Sequence, residues 1–314
     1  MSAPLEFSHF SVMLPEVIEG LDIKPDGVYL DGTAGGAGHS SVIASKLTTG
    51  TLIALDRDAD AVAVATERLS VYGERARVVR ANFADMKNVC RELGIEALDG
   101  VLLDLGVSSY QLDTAERGFS YLADAPLDMR MDKRQELDAY KIVNGYSEAE
   151  LCRILRNWGE EKFASRIARK ICERREKAPV STTGELVDIV KAALPDGGRS
   201  QKHHPAMRTF QAIRIEVNGE LDIIPQTIKD AVSLLKTGGR LAIITFHSLE
   251  DRAVKEAYAS LASGCTCPRN FPVCVCGNKP KIKFIGKKPI LPSEDELSKN
   301  SRSHSAKLRV CEKL

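Results

Sequence analysis

The sequence lacks most of the features that place a chain by composition alone. Aromatic residues make up only 5% of its 314 positions, with a single tryptophan. Formal net charge is +1, so overall charge points to no partner, and any nucleic-acid surface must come from local clustering. No apolar run reaches the 18 or so residues that a membrane-spanning helix needs. Met1 to Glu16 has neither the charged start nor the apolar core of a secretory leader, and a cytoplasmic location is expected. Internal repeats and long low-complexity tracts are missing, as is the dinucleotide fingerprint G-x-G-x-x-G. A hydrophobic fraction of 43% is nevertheless ample for a core, and the length suits one large domain or two ordinary ones.

What is present centres on Asp31-Gly32-Thr33-Ala34-Gly35-Gly36-Ala37-Gly38-His39-Ser40. The apolar run Val28-Tyr29-Leu30 leads into it and a helix-compatible segment, Ser41 to Leu47, follows. This is the pattern of a strand, a glycine-rich turn and a helix start, where unpaired N–H groups favour polar or anionic ligands. A second apolar run, Thr51 to Leu55, ends in Asp56, 25 residues beyond Asp31. An acid at that strand tip is where nucleotide-binding folds hold ribose hydroxyls; a helix-capping or solvated Asp is the alternative. Arg77 to Arg80 reads as a third strand, followed by Phe83, which suits either stacking beside an adenine or core packing. Gly100 to Leu103 is a fourth strand, ending in Asp104. Three strands thus end in an acid, and repeated placement at carboxyl ends argues for a site there.

From about Asp113 to Pro205 the strand–helix alternation stops. Leu151, Ile154, Leu155 and Trp158 recur at helical spacing, and Thr182-Thr183-Gly184-Glu185 has the spacing of a capping box. The reading is an α/β core formed by 1–112 and 206–314, interrupted by a helical insertion over 113–205. Positive charge collects in and beside the insertion, on Arg166, Arg169, Lys170 and Arg174, then Lys202 and Arg208. Such a helix is either a solvated face or a polyanion surface, and its place within an interrupted nucleotide-binding core favours the second. His203 and His204 have no third metal ligand nearby and read as RNA-contacting or structural.

The α/β rhythm resumes with a long helical pattern, Phe210 to Leu235, broken around Pro225. Thr237-Gly238-Gly239 reads as a turn and Arg240 to Phe246 as the fifth strand. His247 follows it, as a base, a substrate ligand or a hydrogen-bonded loop histidine. Cys90, Cys152, Cys172 and Cys311 are scattered, as reduced core thiols are. Cys265, Cys267, Cys274 and Cys276 fall within twelve residues. Four thiolates so placed suit a tetrahedral zinc, with reduced or redox-labile thiols as the alternative. Either way the cluster reads as structural, since a catalytic zinc keeps an open position. The segment Lys279 to Leu314 carries ten Lys and Arg against four acids, and a basic loop there enters a last strand.

Five motifs carry a resemblance to a known family. They are Asp31-Gly32-Thr33 with Gly38-His39-Ser40; Leu103-Asp104-Leu105-Gly106-Val107-Ser108-Ser109 with Gln111-Leu112-Asp113; Pro126-Leu127-Asp128-Met129-Arg130-Met131; Arg208-Thr209-Phe210-Gln211-Ala212-Ile213-Arg214; and Thr245-Phe246-His247-Ser248-Leu249-Glu250-Asp251-Arg252. Together they resemble the bacterial 16S rRNA (cytosine-N4)-methyltransferases, over nearly the whole chain. The resemblance implies a Rossmann-like methyltransferase core with a helical substrate-recognition insertion, S-adenosylmethionine as methyl donor, and a cytidine in the decoding region of 16S rRNA as target, within the small ribosomal subunit. It implies cofactor contacts at Ala37, Gly38, His39, Asp56, Phe83, Asp104 and Gln111. Relatives often have glycine where Ala37 stands. For the chemistry, Asp104 and the backbone from Leu105 to Ser108 are the expected acceptors for the target amine, with His247 or Ser248 assisting. Asp104, Ser108 and His247 are therefore the candidate catalytic residues. Two rivals remain at this stage: a nicotinamide-dependent dehydrogenase, disfavoured by the missing fingerprint, and a non-catalytic ribosome-assembly factor. Whether the chain forms a homodimer stays open.

Overall fold

The computed structural model describes residues 11–200, 202–264, 267–268, 271–273 and 275–314. The chain divides into two compact units, one formed by Met1–Gly106 with Leu221–Leu314 and the other by Val107–Glu220. Among the described residues no helix is long and apolar enough to cross a membrane.

The first unit is built on seven strands: β1 (Val28–Asp31), β2 (Thr51–Asp56), β3 (Ala76–Arg80), β4 (Leu98–Asp104), β5 (Leu235–Thr245), β6 (Ile282–Ile290) and β7 (Lys307–Lys313). They form one sheet in the order β3-β2-β1-β4-β5-β7-β6. The first five neighbours are parallel; β7 runs antiparallel to both β5 and β6. Parallel strands buried on both faces read as near-continuous apolar runs; β4 is buried from Leu98 to Leu103, and the one acid inside that span, Asp99, is paired with Lys236 at 2.7 Å. The chain steps outward from β1 to β3 and then returns to the other side of β1 at β4. Strand order therefore reverses between β1 and β4, the position where open α/β sheets leave a crevice at their carboxyl ends. Asp31 and Asp104 flank that point. The antiparallel β7–β6 pair departs from the all-parallel dinucleotide-binding order.

Two boundaries differ from the sequence reading. Strand β5 begins at Leu235, and Thr237-Gly238-Gly239 is not a separate turn. It is absorbed as a register shift opposite Leu98 and Gly100, with Gly238 at φ +82°. The long helical pattern is two helices, Met207–Asn218 and Ile224–Leu234. Gly219 closes the first in the left-handed conformation, and Pro225 opens the second, where its missing N–H costs nothing.

The second unit is helical. Its main helices are Ala139–Gly145, Glu148–Asn157, Ala164–Arg175, Thr183–Ala193 and Met207–Asn218. Capping boxes start two of them, at Ser147 with Glu150 and at Thr182 with Glu185. The unit extends beyond the 113–205 span read from the sequence because Met207–Asn218 buries Phe210, Ala212, Ile213 and Val217 in the helical core. Asn218 also bonds the backbone of Met129 and Met131 through its side-chain amide. Glu216, on the same helix, accepts from Trp158 Nε1 at 2.6 Å, Arg153 at 2.8 Å and the Tyr146 hydroxyl at 3.3 Å. Removing it leaves a half-buried indole N–H without its acceptor. We expect Glu216→Ala to lower stability by about 1–3 kcal/mol, measured by chemical denaturation, with Glu216→Gln recovering part of the loss.

Candidate active site

The glycine-rich turn after β1 is organised from beneath by Asp31. This carboxylate is 1% exposed and accepts from Ser40 Oγ at 2.6 Å and from Thr33 N at 3.0 Å. Burial pushes its pKa up, and the Ser40 hydroxyl, the His39 ring and the Thr33 bonds oppose the shift. Thr33 Oγ1 then accepts from Asp104 N at 2.7 Å, joining the ends of β1 and β4. Gly36 O accepts from Arg68 at 2.7 Å. Ala37 is fully buried at φ +60°, a conformation that disfavours a Cβ and explains why glycine suits this position. Gly38 opens the helix Gly38–Lys46, and a Cβ there would fall 1.9 Å from Ser11 Oγ. Gly32 is equally confined, with Leu103 Cδ2 at 2.5 Å and Phe83 Cβ at 2.9 Å from where a Cβ would lie.

Asp56, at the tip of β2, accepts from Gly35 N at 2.8 Å and Asp58 N at 2.9 Å, one bond to each oxygen. Each oxygen keeps acceptor capacity beyond these bonds. Burial outweighs them and pushes the carboxyl up to about 6. Phe83 sits in a short turn whose Asn82 side chain accepts from Ala84 N. It is part-exposed and packs against the core.

Asp104 ends β4 with its side chain 24% exposed. Its Oδ1 nevertheless has no accessible surface and, among the described residues, no hydrogen-bond partner. Its Oδ2 lies 3.8 Å from His39 Nδ1. Burial first, then the charges of Asp31, Glu250 and Glu296, hold its carboxyl well above the usual range. His39 is 6% exposed, with Nε2 at 3.0 Å from Val12 O, and burial lowers its pKa.

His247 is hydrogen-bonded at the end of β5, one of the three roles open to it from the sequence. Its Nδ1 accepts from Glu250 N and caps the helix Ser248–Ser263, while Nε2 sits 3.1 Å from Glu250 Oε1 with no accessible surface. Glu250, 1% exposed, accepts in return from the N–H groups of Phe246 and His247. Nδ1 is thus spent on the helix start, while Nε2, buried beside Glu250, has no hydrogen-bond partner among the described residues. Asp251 pairs with Arg309 at 2.7 Å and Lys307 at 3.2 Å, binding the same helix to β7. Sequence reasoning passed over Thr33, Glu250 and Glu296. The first two lie inside quoted motifs; Glu296 gave no signal, since its contact is 283 residues away.

In the helical unit, Ser108 and Gln111 form a reciprocal capping box. The basic residues divide. Arg169 and Lys170, 61% and 46% exposed, share Glu173. Arg166 lies over the Phe163 ring and Lys202 is exposed. Arg174 is bound by Glu185 and the Ala178 carbonyl, and Arg208 donates to Glu160 O. His204 stacks on Tyr121 at 4.5 Å. Of the cysteine cluster, Cys265 and Cys274 lie outside the described residues; Cys267 Sγ accepts from Val275 N at 3.3 Å.

The closeness of Leu103 and Phe83 around Gly32 gives a direct test of this packing. Gly32→Ala is expected to destabilise the protein by about 1–3 kcal/mol through overpacking, read as a lower thermal midpoint. An unchanged midpoint would mean that both neighbours yield.

Residues 6–314 match the family model described as the MraW methylase family. The chain is 58% identical over 311 residues to "Ribosomal RNA small subunit methyltransferase H 2" of Agathobacter rectalis, covering 98% of this chain and 99% of that one. It is 55% identical over 311 residues to "Ribosomal RNA small subunit methyltransferase H" of Brevibacillus brevis, covering 99% of each. The protein of that name from Clostridioides difficile matches at 55%, over 99% of this chain and 100% of its own. With a match of this extent joined to the seven-strand α/β sheet, the chain belongs to the MraW methylase family.

Proposed function

We propose that this chain transfers a methyl group from S-adenosylmethionine to N4 of a cytidine in 16S rRNA, acting on the small ribosomal subunit in the cytoplasm. The observation that carries the reading is full-length identity of 55–58% to proteins named as small-subunit rRNA methyltransferases. The local chemistry supports it. Asp104 lies in the field of three further acids, and its buried Oδ1 lacks a partner among the described residues. A cationic ligand offsets that imbalance, and a sulfonium is such a cation. Asp56, with acceptor capacity left on both oxygens, suits a ribose diol, and the turn from Ala37 to His39 with Phe83 completes the cofactor assignment. When bound, the cofactor supplies an electrophilic methyl on a positively charged sulfur.

The target nitrogen is a weak nucleophile because its lone pair is delocalised into the ring. Asp104 acts on that weakness. Its carboxylate accepts from the exocyclic N–H, orients the nitrogen for in-line attack, and takes the proton as the N4–methyl bond forms. Held above the usual carboxylate range when the site is electrically unbalanced, Asp104 ionises when a cation stands beside it and regains proton affinity once that charge is gone. The base must leave its stack to be reached. Arg166, Arg169, Lys170 and Lys202 are assigned to phosphates: among the described residues Arg166 lies over an aromatic ring, Lys202 forms no salt bridge, and Arg169 and Lys170 share one exposed carboxylate that binds weakly. Arg174 and Arg208 anchor their own unit and are assigned lesser parts.

The decisive assay is transfer of labelled methyl to small subunits lacking the modification, followed by nucleoside mass analysis. N4-methylcytidine is expected. Label on another base would retain methyl transfer and discard the target, and no transfer despite cofactor binding would favour a ribosome-assembly role. Asp104→Asn should lower the single-turnover rate about 10²–10⁴-fold while the enzyme still binds cofactor.

Asp56 adds a pH dependence. At about 6, it is a carboxylate above that pH and a neutral acid below it. Ribose hydroxyls donate best to the carboxylate, so cofactor affinity should be full above pH 6 and fall as pH drops through 6, by at most about tenfold per unit. The folded carboxyl holds its proton more tightly than an unfolded one, so Asp56 itself favours the fold below about pH 4, and this contribution is lost as pH rises through 6. Acid weakening of binding through Asp56 is thus separable from unfolding. Titration calorimetry on wild type and Asp56→Asn checks it; the variant should bind more weakly and lose the part of the pH dependence that centres on about 6.

A further inference from the structure

One peptide group links two side chains at the edge of the candidate site. The carbonyl of Val12 accepts from His39 Nε2 at 3.0 Å. The N–H of the same peptide unit, on Met13, donates to both oxygens of Glu296, at 2.8 and 2.9 Å. Glu296 lies on the helix Glu294–Lys299. Met13 is fully buried at φ +53°, so this peptide plane is fixed from several directions. Ser11 rests where a Cβ of residue 38 would stand, and only glycine at 38 lets the segment lie there.

The chemistry of this arrangement is directional. A carbonyl oxygen only accepts, so Nε2 of His39 carries the hydrogen and Nδ1 of the neutral ring carries the lone pair. Nδ1 is the nitrogen that faces Asp104, at 3.8 Å. A contraction of about 1 Å brings the two into hydrogen-bond range. The other acids acting on Asp104 are already engaged. Asp31 accepts from Ser40 and Thr33, Glu250 from Phe246 and His247, and Glu296 from Met13. Asp31 also acts on His39, and Glu16 on Glu296. The nearby cations Lys307 and Arg309 are bound by Asp251. Of Asp31, Asp104, Glu250 and Glu296, Asp104 alone has a buried oxygen without a partner among the described residues, and a proton arriving here settles on it.

We propose that Glu296, the Val12–Met13 peptide and His39 form a positioning relay: Glu296 fixes the peptide, the peptide fixes one tautomer of His39, and His39 Nδ1 receives a hydrogen bond from Asp104 after Asp104 has taken the proton of the methylated amine. The inference rests on the proposed methyl transfer. In that step the nitrogen–methyl bond forms, the methyl–sulfur bond breaks with its electron pair going to sulfur, and one N–H proton passes to the Asp104 carboxylate. His39 stays neutral throughout, and the proton leaves Asp104 to solvent after the product departs.

Glu296→Ala and Glu296→Gln separate position from charge. Both remove the negative charge that raises the Asp104 pKa, so both should shift the acidic limb of the single-turnover pH profile to lower pH by a similar amount. Glutamine still offers Met13 N an acceptor; alanine does not. The maximal rate should therefore fall about tenfold or more in Glu296→Ala and recover in Glu296→Gln, with any loss of cofactor affinity equal in the two variants. His39→Gln keeps a donor for Val12 O and removes the Nδ1 acceptor; a fall in rate of about 10–100-fold is expected, with thermal melting as the fold control. A second readout needs no turnover. The ¹⁵N spectrum of the His39 ring in the full chain should show an Nε2–H, Nδ1-bare tautomer in wild type and Glu296→Gln, and a mixture in Glu296→Ala. Equal rates in the two Glu296 variants, or a hydrogen on Nδ1 in wild type, would overturn the relay. A wild-type protein that moves no methyl sinks the functional reading and the last step of the relay with it, while the ring spectrum still decides whether Glu296 and the peptide fix the His39 tautomer.

Discussion

A buried carboxylate that turns both its oxygens back on its own loop is the interaction on which the site depends. Asp31 holds the backbone of Thr33 and the hydroxyl of Ser40, and so fixes both ends of the glycine-rich turn at once. Thr33, so placed, holds the backbone of Asp104. Ser40 lies in the first turn of the helix that begins at Gly38 and carries His39. A charge this deeply buried would be costly without such bonds. With them it sets the distance between strands β1 and β4 at the point where the sheet reverses its order.

The electrostatics of the same edge follow from crowding. Parallel strands start and stop together, so residues at their ends share one rim. Asp31, Asp104 and Glu250 meet there through the sheet, and Glu296 joins them from the far end of the sequence. Cations nearby are engaged elsewhere, as Arg309 is with Asp251. The rim is left short of positive charge, a condition that selects for a cationic ligand over a neutral one and weakens the hold on that ligand once its charge is gone.

Much of this was legible from the sequence, for physical reasons. Strands buried on both faces must be apolar runs, so β1, β2 and β4 could be read with their terminal acids. The capping box at Thr182 and the apolar spacing from Leu151 to Trp158 marked helices because those patterns follow from backbone geometry. Other features were hidden because sequence spacing does not report partners. The first part of β5 reads as a turn because its glycines serve a register shift. The helix Met207–Asn218 looks like part of the α/β core until its apolar face is seen to pack among other helices. His247 carries a chemically capable side chain, yet its Nδ1 is spent on a helix start. Glu296 is a plain surface-type acid in the sequence, and only the folded chain brings it to Met13.

The position of β7 bears on how the protein is made. It is the last strand in chain order, yet it lies inside the sheet between β5 and β6. Chains fold as they emerge from their N-terminal side. Until β7 is made, the inner strand β5 presents a row of unpaired N–H and C=O groups along one edge, a template for pairing with any other extended chain. The basic residues that precede and line this strand, Arg302, Lys307 and Arg309, supply like charge along that segment. A partly made chain therefore passes through a stage in which its most aggregation-prone edge is open, and completion of the sheet is also the event that protects it.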